Sequence, residues 1–272
     1  MLSVSKSQIW DQLIGYLGLA SLETTITLGQ QTYIEQIVNR FDLTSAPVAT
    51  TPMEAGTDLT FDSPHVSTIL LTPTEKTQYR EMIGCLMYAA VMTRPDITFT
   101  VTNLSQYLDA PRTTHLHAVA RVFHYLSGTK ELKLVLGGVN TTIVGYSDSD
   151  WASQNHPHSI SGFTFFIGSG AVTWSSKKQT IITLSSTEAE YVALTHSSKE
   201  IIWIHKLLTD FSSIFTFTLP TTLHCDNQRA IRLLKDSTFH GQTKHIDIHF
   251  HFVRQTVFPK IILLFTIALR TT

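Results

Sequence analysis

Cysteine is scarce in this chain. Cys85 and Cys225 are the two among 272 residues, and they lie far apart. Neither belongs to a paired redox or zinc spacing, which excludes a disulfide-stapled scaffold and makes free thiols in a reducing compartment the expectation. An excess of one charge is lacking too: 20 Lys and Arg stand against 21 Asp and Glu. Composition therefore offers no basic signature of a nucleic-acid binder, and charge alone does not decide the matter. Charged residues make up 15% and hydrophobic ones 43%, which excludes a solvated, disordered chain. Long apolar runs are missing. The most apolar stretch, Ile261 to Leu269, is nine residues, where a bilayer span needs about 20, so no membrane partner is expected. The first residues show no charged-then-apolar leader pattern.

What is present is a chain long enough for two modest hydrophobic cores. Leu13–Leu19 and Thr24–Leu28 read as strands around a turn. Gln30 to Phe41 places Tyr33, Ile34, Ile37, Val38 and Phe41 on one stripe, which predicts an amphipathic helix. Residues 44 to 73, rich in Thr, Ser and Pro, predict a linker. Thr72-Pro73-Thr74-Glu75 is a capping box with proline at the first helical position, opening a helix to about Met92 that Arg94-Pro95 stops. Two more helices are expected, near Asp96–Leu108 and Thr114–Leu126. Arg80, Arg94, Arg112 and Arg121 on this bundle are either contacts for a nucleic-acid backbone or ordinary solvated residues. A strand at Glu131–Val139 follows.

The chemistry concentrates in three short acidic motifs: Tyr146-Ser147-Asp148-Ser149-Asp150-Trp151, Ser185-Ser186-Thr187-Glu188-Ala189-Glu190-Tyr191, and His224-Cys225-Asp226-Asn227-Gln228. Asp148 and Asp150 close a β-branched run and, two apart, share one strand face. Gly162–Gly168 and Ala171–Ser176 predict a hairpin across Gly168-Ser169-Gly170. A long helix is expected from Ser186 to Leu208, inward-facing through Tyr191, Leu194, Ile201, Ile202, Ile204 and Leu208. Ser185 and Glu188 form its capping box, which engages Glu188 and leaves Glu190 free. Asp226 ends the strand Thr221–Cys225, just before a helical pattern. Carboxylates at the carboxyl ends of strands lie where α/β folds place their ligands. Asp148, Glu190 and Asp226 are therefore the candidate catalytic and metal-holding residues, a hard oxygen set suited to magnesium.

On these motifs, together with Tyr79-Arg80-Glu81-Met82-Ile83-Gly84, Thr93-Arg94-Pro95-Asp96-Ile97 and Thr243-Lys244-His245-Ile246-Asp247-Ile248, the chain from about residue 12 to 256 resembles the C-terminal part of copia-type retrotransposon Pol polyproteins. The resemblance implies an α/β fold: a ribonuclease H-like mixed sheet with flanking helices, preceded by a partial reverse-transcriptase palm and thumb helical region. It implies a division into residues 1–136, the partial polymerase; 141–256, the ribonuclease H-like domain; and 257–272, an atypical apolar tail. The family register selects Asp148 over Asp150. The implied activity is hydrolysis of the RNA strand of RNA–DNA hybrids with two Mg2+ ions, Mn2+ substituting. The implied partners are the hybrid and the upstream polymerase, in a cytoplasmic particle or the nucleus. The family's Tyr-x-Asp-Asp polymerase motif does not occur in the sequence, so no nucleotidyl transfer is expected.

One departure sets up a rival reading. The family's fourth acid would follow one more strand, yet residues 248–272 contain no Asp or Glu. That implies a weakened metal site, reduced activity, or a non-catalytic transposon remnant that at most binds nucleic acid. Separately, His245, Asp247, His249 and His251 alternate with apolar residues. They offer either polar helix positions or, with His245 and His249 four apart on a helix, two ligands of a zinc site.

Overall fold

The structure is a computed structural model, and it describes residues 25–44, 47–137, 142–150, 158–210, 219–235, 252–255 and 261–266. The first expected strand, Leu13–Leu19, and the histidine-rich segment around His245 lie outside these residues.

The N-terminal half is a helical unit. A short strand, β1 (Thr25–Gly29), leads into α1 (Gln31–Arg40), then α2 (Pro73–Met92), α3 (Thr98–Ser105) after one 3-10 turn, and α4 (Thr113–Gly128). The stripe expected on α1 is the one that buries Ile34, Ile37 and Val38. On α2 the inward face carries Tyr79, Met82, Ile83, Leu86, Ala89 and Ala90, a spacing that keeps one side of the helix in the core. The capping box forms: the Glu75 amide donates to Thr72 Oγ1 at 3.4 Å and the Thr72 amide to Glu75 Oε2 at 2.8 Å. These helices share one core with Val119, Val122, Phe123 and Leu126 of α4. Strand β2 (Lys133–Gly137) returns to pair antiparallel with β1.

Four arginines of this unit, Arg80, Arg94, Arg112 and Arg121, are engaged within the protein. Arg94 is 2% exposed; its guanidinium donates to Asp96 Oδ2 at 2.7 Å and to the Thr129 carbonyl at 3.1 Å. Arg80 donates to the Leu108 carbonyl, Arg112 lies over the Phe61 ring and donates to the Phe61 carbonyl, and Arg121 pairs with Glu54. The Arg94 guanidinium is therefore a structural group, unavailable to a nucleic-acid backbone.

The C-terminal half is built on a five-stranded mixed sheet ordered β5-β4-β3-β6-β7. Its strands are β3 (Ile143–Asp150), β4 (Ile160–Ile167), β5 (Gly170–Lys178), β6 (Thr221–Cys225) and β7 (Ile262–Thr266). The first three form an antiparallel meander, while β6 runs parallel to β3 and β7 parallel to β6. Parallel neighbours need crossovers, and the helices α5 (Ser186–Asp210) and α6 (Gln228–Lys235) lie in them. This is the element order expected of a ribonuclease H-like fold. The apolar stretch after Ile261 is a paired strand here, joining the sheet beyond the expected domain boundary at residue 256.

Alternation divides the sheet's residues. Ile143, Phe165, Leu223, Cys225 and Ile262 turn toward α5 and α6 and pack with Tyr191, Leu194, Ile201, Ile204 and Leu208. Ile202, expected on the same helical face, is 39% exposed. One position beyond Ile201, it is turned about 100° away. Gly145 lets the sheet close: a Cβ there would lie 2.1 Å from Phe165 Cε1. At the β4–β5 turn, Gly168 takes φ +63°, a left-handed conformation that glycine adopts at little cost. The two halves touch through β5: Trp174 Nε1 donates to the Ala90 carbonyl at 2.8 Å, and Thr102 Oγ1 to the Ser176 carbonyl at 3.0 Å. Ala90 lies in the last turn of α2, where carbonyls lack a helical partner.

Candidate active site

Three elements deliver the acids. Ser147 of β3 pairs with Cys225 of β6 in parallel register. The next residue along each chain is an acid, Asp148 within β3 and Asp226 just past β6, so the two stand at neighbouring positions on the same rim. Glu190 enters from the first turns of α5, over the inward face of β3. The expected division of labour at that helix start is present. The Glu188 amide donates to Ser185 Oγ at 3.2 Å, and Glu188 Oε2 accepts from the Leu184 amide at 2.7 Å. Glu188 is thereby occupied with capping, one residue further back than the simplest capping box.

Ser149 ties the acids together. Its amide donates both to Asp148 Oδ1 at 2.9 Å and to Glu190 Oε1 at 3.0 Å, and its hydroxyl donates to the same Glu190 oxygen at 2.8 Å. The other Glu190 oxygen faces the Cys225 thiol at 3.7 Å. Glu190, Cys225 and Asp226 present ligand atoms within 4.8 Å of one another. Asp148 is outside that set; it and Asp150 line a cleft of about 400 Å³ with Tyr146, Gly162 and Phe99. It adjoins the group through Ser149 and through the field of its charge.

Burial raises the pKa of Glu190 to about 7, with the charges of Asp148 and Asp226 adding to it and the Ser149 hydrogen bonds working against it. Asp148 is open to the cleft, yet enough protein surrounds its carboxyl that burial raises its pKa, the charge of Asp226 second. Among the described residues no lysine or arginine contributes to either shift. Glu190 is 5% exposed, while Asp226 is exposed, so the group opens to solvent on the Asp226 side.

The donor set fits a hard divalent cation. Carboxylate oxygens from separate elements suit Mg2+ or Mn2+, which keep several waters and bind substrate phosphates. Burial, and then its acidic neighbours, push the pKa of the Cys225 thiol up to about 12, and a sulfur donor suits such an ion poorly. Sequence reasoning missed Cys225 and Ser149. The available signal was alternation: a residue beside a strand-end acid faces the covered side, where the helix carrying Glu190 lies.

No protein-family model matches the chain. Among known proteins it is similar to the retrovirus-related Pol polyprotein from transposon RE1 of Arabidopsis thaliana, 38% identical over 251 residues, covering 91% of this chain and 16% of that polyprotein. The Pol polyprotein from transposon TNT 1-94 of Nicotiana tabacum is 36% identical over 231 residues, 85% of this chain and 17% of that one. The chain thus spans about a sixth of the length of these relatives. Among solved structures it is similar to LC11-RNase H1 in complex with RNA/DNA hybrid, with 14% identity, TM-score 0.34, and coverage of 47% of this chain and 86% of that one.

Proposed function

Because the chain belongs to the Pol polyproteins of copia-type retrotransposons, as a fragment of them, we propose that it hydrolyses the RNA strand of RNA–DNA hybrids, using divalent metal held by Asp148, Glu190 and Asp226. The observation that carries this reading is the buried carboxylate of Glu190. It is oriented by two hydrogen bonds from Ser149, flanked by two further acids, and matched by no cationic side chain among the described residues. Isolated buried charge is costly, and a site that keeps one at a solvent-open rim suits a cation arriving from outside.

When bound, such cations neutralise charge at a phosphodiester and bring water within reach of deprotonation at neutral pH. Ser149 fixes the Glu190 carboxylate so that little reorganisation is needed on loading. Asp226, exposed, would be the ligand nearest solvent for such a cation. Asp148 connects the acids to the cleft beside it, where the strand to be cut is placed in this reading, and selectivity for hybrid comes from contacts to ribose 2′-hydroxyls. The helical unit is assigned to the end of the polymerase, with residues 1–136 and 141–256 as the two domains and β7 completing the second. Its partner is the upstream polymerase part of the polyprotein.

Cleavage of an end-labelled RNA–DNA hybrid in Mg2+ or Mn2+ tests this. The parent cuts the RNA strand, and Asp226→Asn and Glu190→Gln each lose at least about 100-fold, the range of one lost transition-state contact. Equal cleavage by parent and variants overturns the assignment. The alternative outcome is a remnant that binds hybrid without cutting it. Retention of hybrid with no cleavage by the parent in either metal establishes that reading instead.

A further inference from the structure

The Glu190 group contains a sulfur atom that hydrolysis by a hard cation does not use. Cys225 is fully buried, yet its Sγ lies within the 4.8 Å set shared with oxygens of Glu190 and Asp226. These three donors come from β6, its terminus and α5, so their positions are held by the sheet and its covering helix. The Sγ to Glu190 Oε2 separation of 3.7 Å can be compared with metal geometry. A tetrahedral zinc with Zn–S of about 2.3 Å and Zn–O of about 2.0 Å has an S···O edge of roughly 3.5 Å. The spacing therefore needs little adjustment.

A second observation points into the same space. Ser147 is 5% exposed and its hydroxyl has no hydrogen-bond partner among the described residues. It lies beside Cys225 in the parallel register. By alternation it faces the same side as Ser149, whose hydroxyl reaches Glu190. A buried hydroxyl without a partner is uncommon. Here it is placed to donate to a thiolate or to a cation-bound water. The exposed Asp226 gives an entry path.

We infer that Cys225, Glu190 and Asp226 form a site for thiophilic divalent cations such as zinc or cadmium, which compete with the hard cation for the same two carboxylates and hold the enzyme inactive. On binding, the Cys225 S–H bond breaks, its proton leaves to buffer, and a sulfur–metal bond forms; Asp226, Glu190 and a water complete four ligands. The carboxylate oxygens serve both kinds of cation, while sulfur serves one. The inference uses two of the acids assigned to hydrolysis and so rests on that reading of the site.

Cadmium titration of the full chain, followed by thiolate-to-metal charge-transfer absorption in the ultraviolet, tests it. The parent and Cys85→Ser each give a saturable band at one equivalent. Cys225→Ser gives none. Asp226→Asn, altered at an exposed position and therefore expected to fold, titrates at least tenfold more weakly. A parent without the band, a band surviving in Cys225→Ser, or an Asp226→Asn titration matching the parent overturns the inference. In the cleavage assay, zinc inhibits the parent in magnesium and leaves Cys225→Ser at least tenfold less sensitive. Magnesium-dependent cleavage without a cadmium band would sink the thiophilic site alone. A band without cleavage would support that site and sink the hydrolase.

Discussion

Arg94 with Asp96 in the helical unit and Glu190 with Asp148 at the sheet rim are opposite answers to one problem, a charge placed away from water. Around Arg94 every demand is met inside the protein: Asp96 supplies the countercharge and Thr129 a carbonyl and a hydroxyl, while the guanidinium also lies over the Tyr125 ring. Burial works against ionised Asp96, but the hydrogen bonds and charge of Arg94, with Tyr125, outweigh it and hold the carboxyl below its ordinary range. Around Glu190 the neighbours are acids, a thiol and two serine donors. The first arrangement locks a structure. The second keeps an electrostatic demand that a cation can meet, which is the pattern of a functional site.

Breaking the satisfied side should have the largest effect. Arg94→Ala removes the guanidinium and leaves Asp96, Thr129 and Tyr125 without it, at a cost of about 3 kcal/mol or more by the rule for severed buried pairs. Urea unfolding measures this, and a loss below about 1 kcal/mol would erase the contrast.

The unsatisfied side should respond with the opposite sign. The folded protein holds the Glu190 proton to about pH 7, against an ordinary value of 4.5. Between those values the native state binds more protons than the unfolded chain, so stability falls as pH rises through the window. Glu190→Gln should therefore stabilise the metal-free protein at pH 8 by on the order of 2–3 kcal/mol and flatten the pH dependence. Thermal melts from pH 5 to 8 measure both. Added Mg2+ should raise the parent's Tm at pH 8 and leave the variant's nearly unchanged. Asp96 has the reverse sign: its contribution is present above its ordinary value of 3.8 and disappears as pH falls through its lowered one.

Packing near the site gives an intermediate effect. Gly145→Ala pushes a methyl group into the buried Phe165 ring and should cost about 1–3 kcal/mol. Differential unfolding of the two halves, followed by Trp174 fluorescence, would show whether the loss stays in the sheet. The smallest expected effect is Thr72→Ala, which removes the α2 cap at an exposed helix start for about 1 kcal/mol, read as a small midpoint shift in urea.

Much of the fold was legible because local signals agreed with one another. Thr72 and Glu75 announced the start of α2, and Thr221 to Cys225 was readable as a strand to its residue boundaries. The helix after Ser185 followed from periodicity, with Ile202 misplaced because it adjoins the inward stripe. The site was partly legible: strand-end acids and a glutamate freed from capping are sequence features. Which cations and thiols meet those acids depends on contacts between residues distant in the chain. Arg94 reads on the sequence as a surface cation, and only its seat beside Thr129 makes it a core group. Cys225 reads as an isolated thiol, and only the parallel pairing of β6 with β3 sets it against Glu190.

The order of strands and helices, the caps that open them and the positions of the acids along them were determined by the sequence itself, since propensity and periodicity act over a few residues. The sharing of the Ser149 amide by two carboxylates, the sulfur at 3.7 Å and the proton that Glu190 retains to about pH 7 were decided by tertiary structure alone. Burial and Coulomb forces depend on distance in space, and that distance exists only once β3, β6 and the long helix α5 have packed.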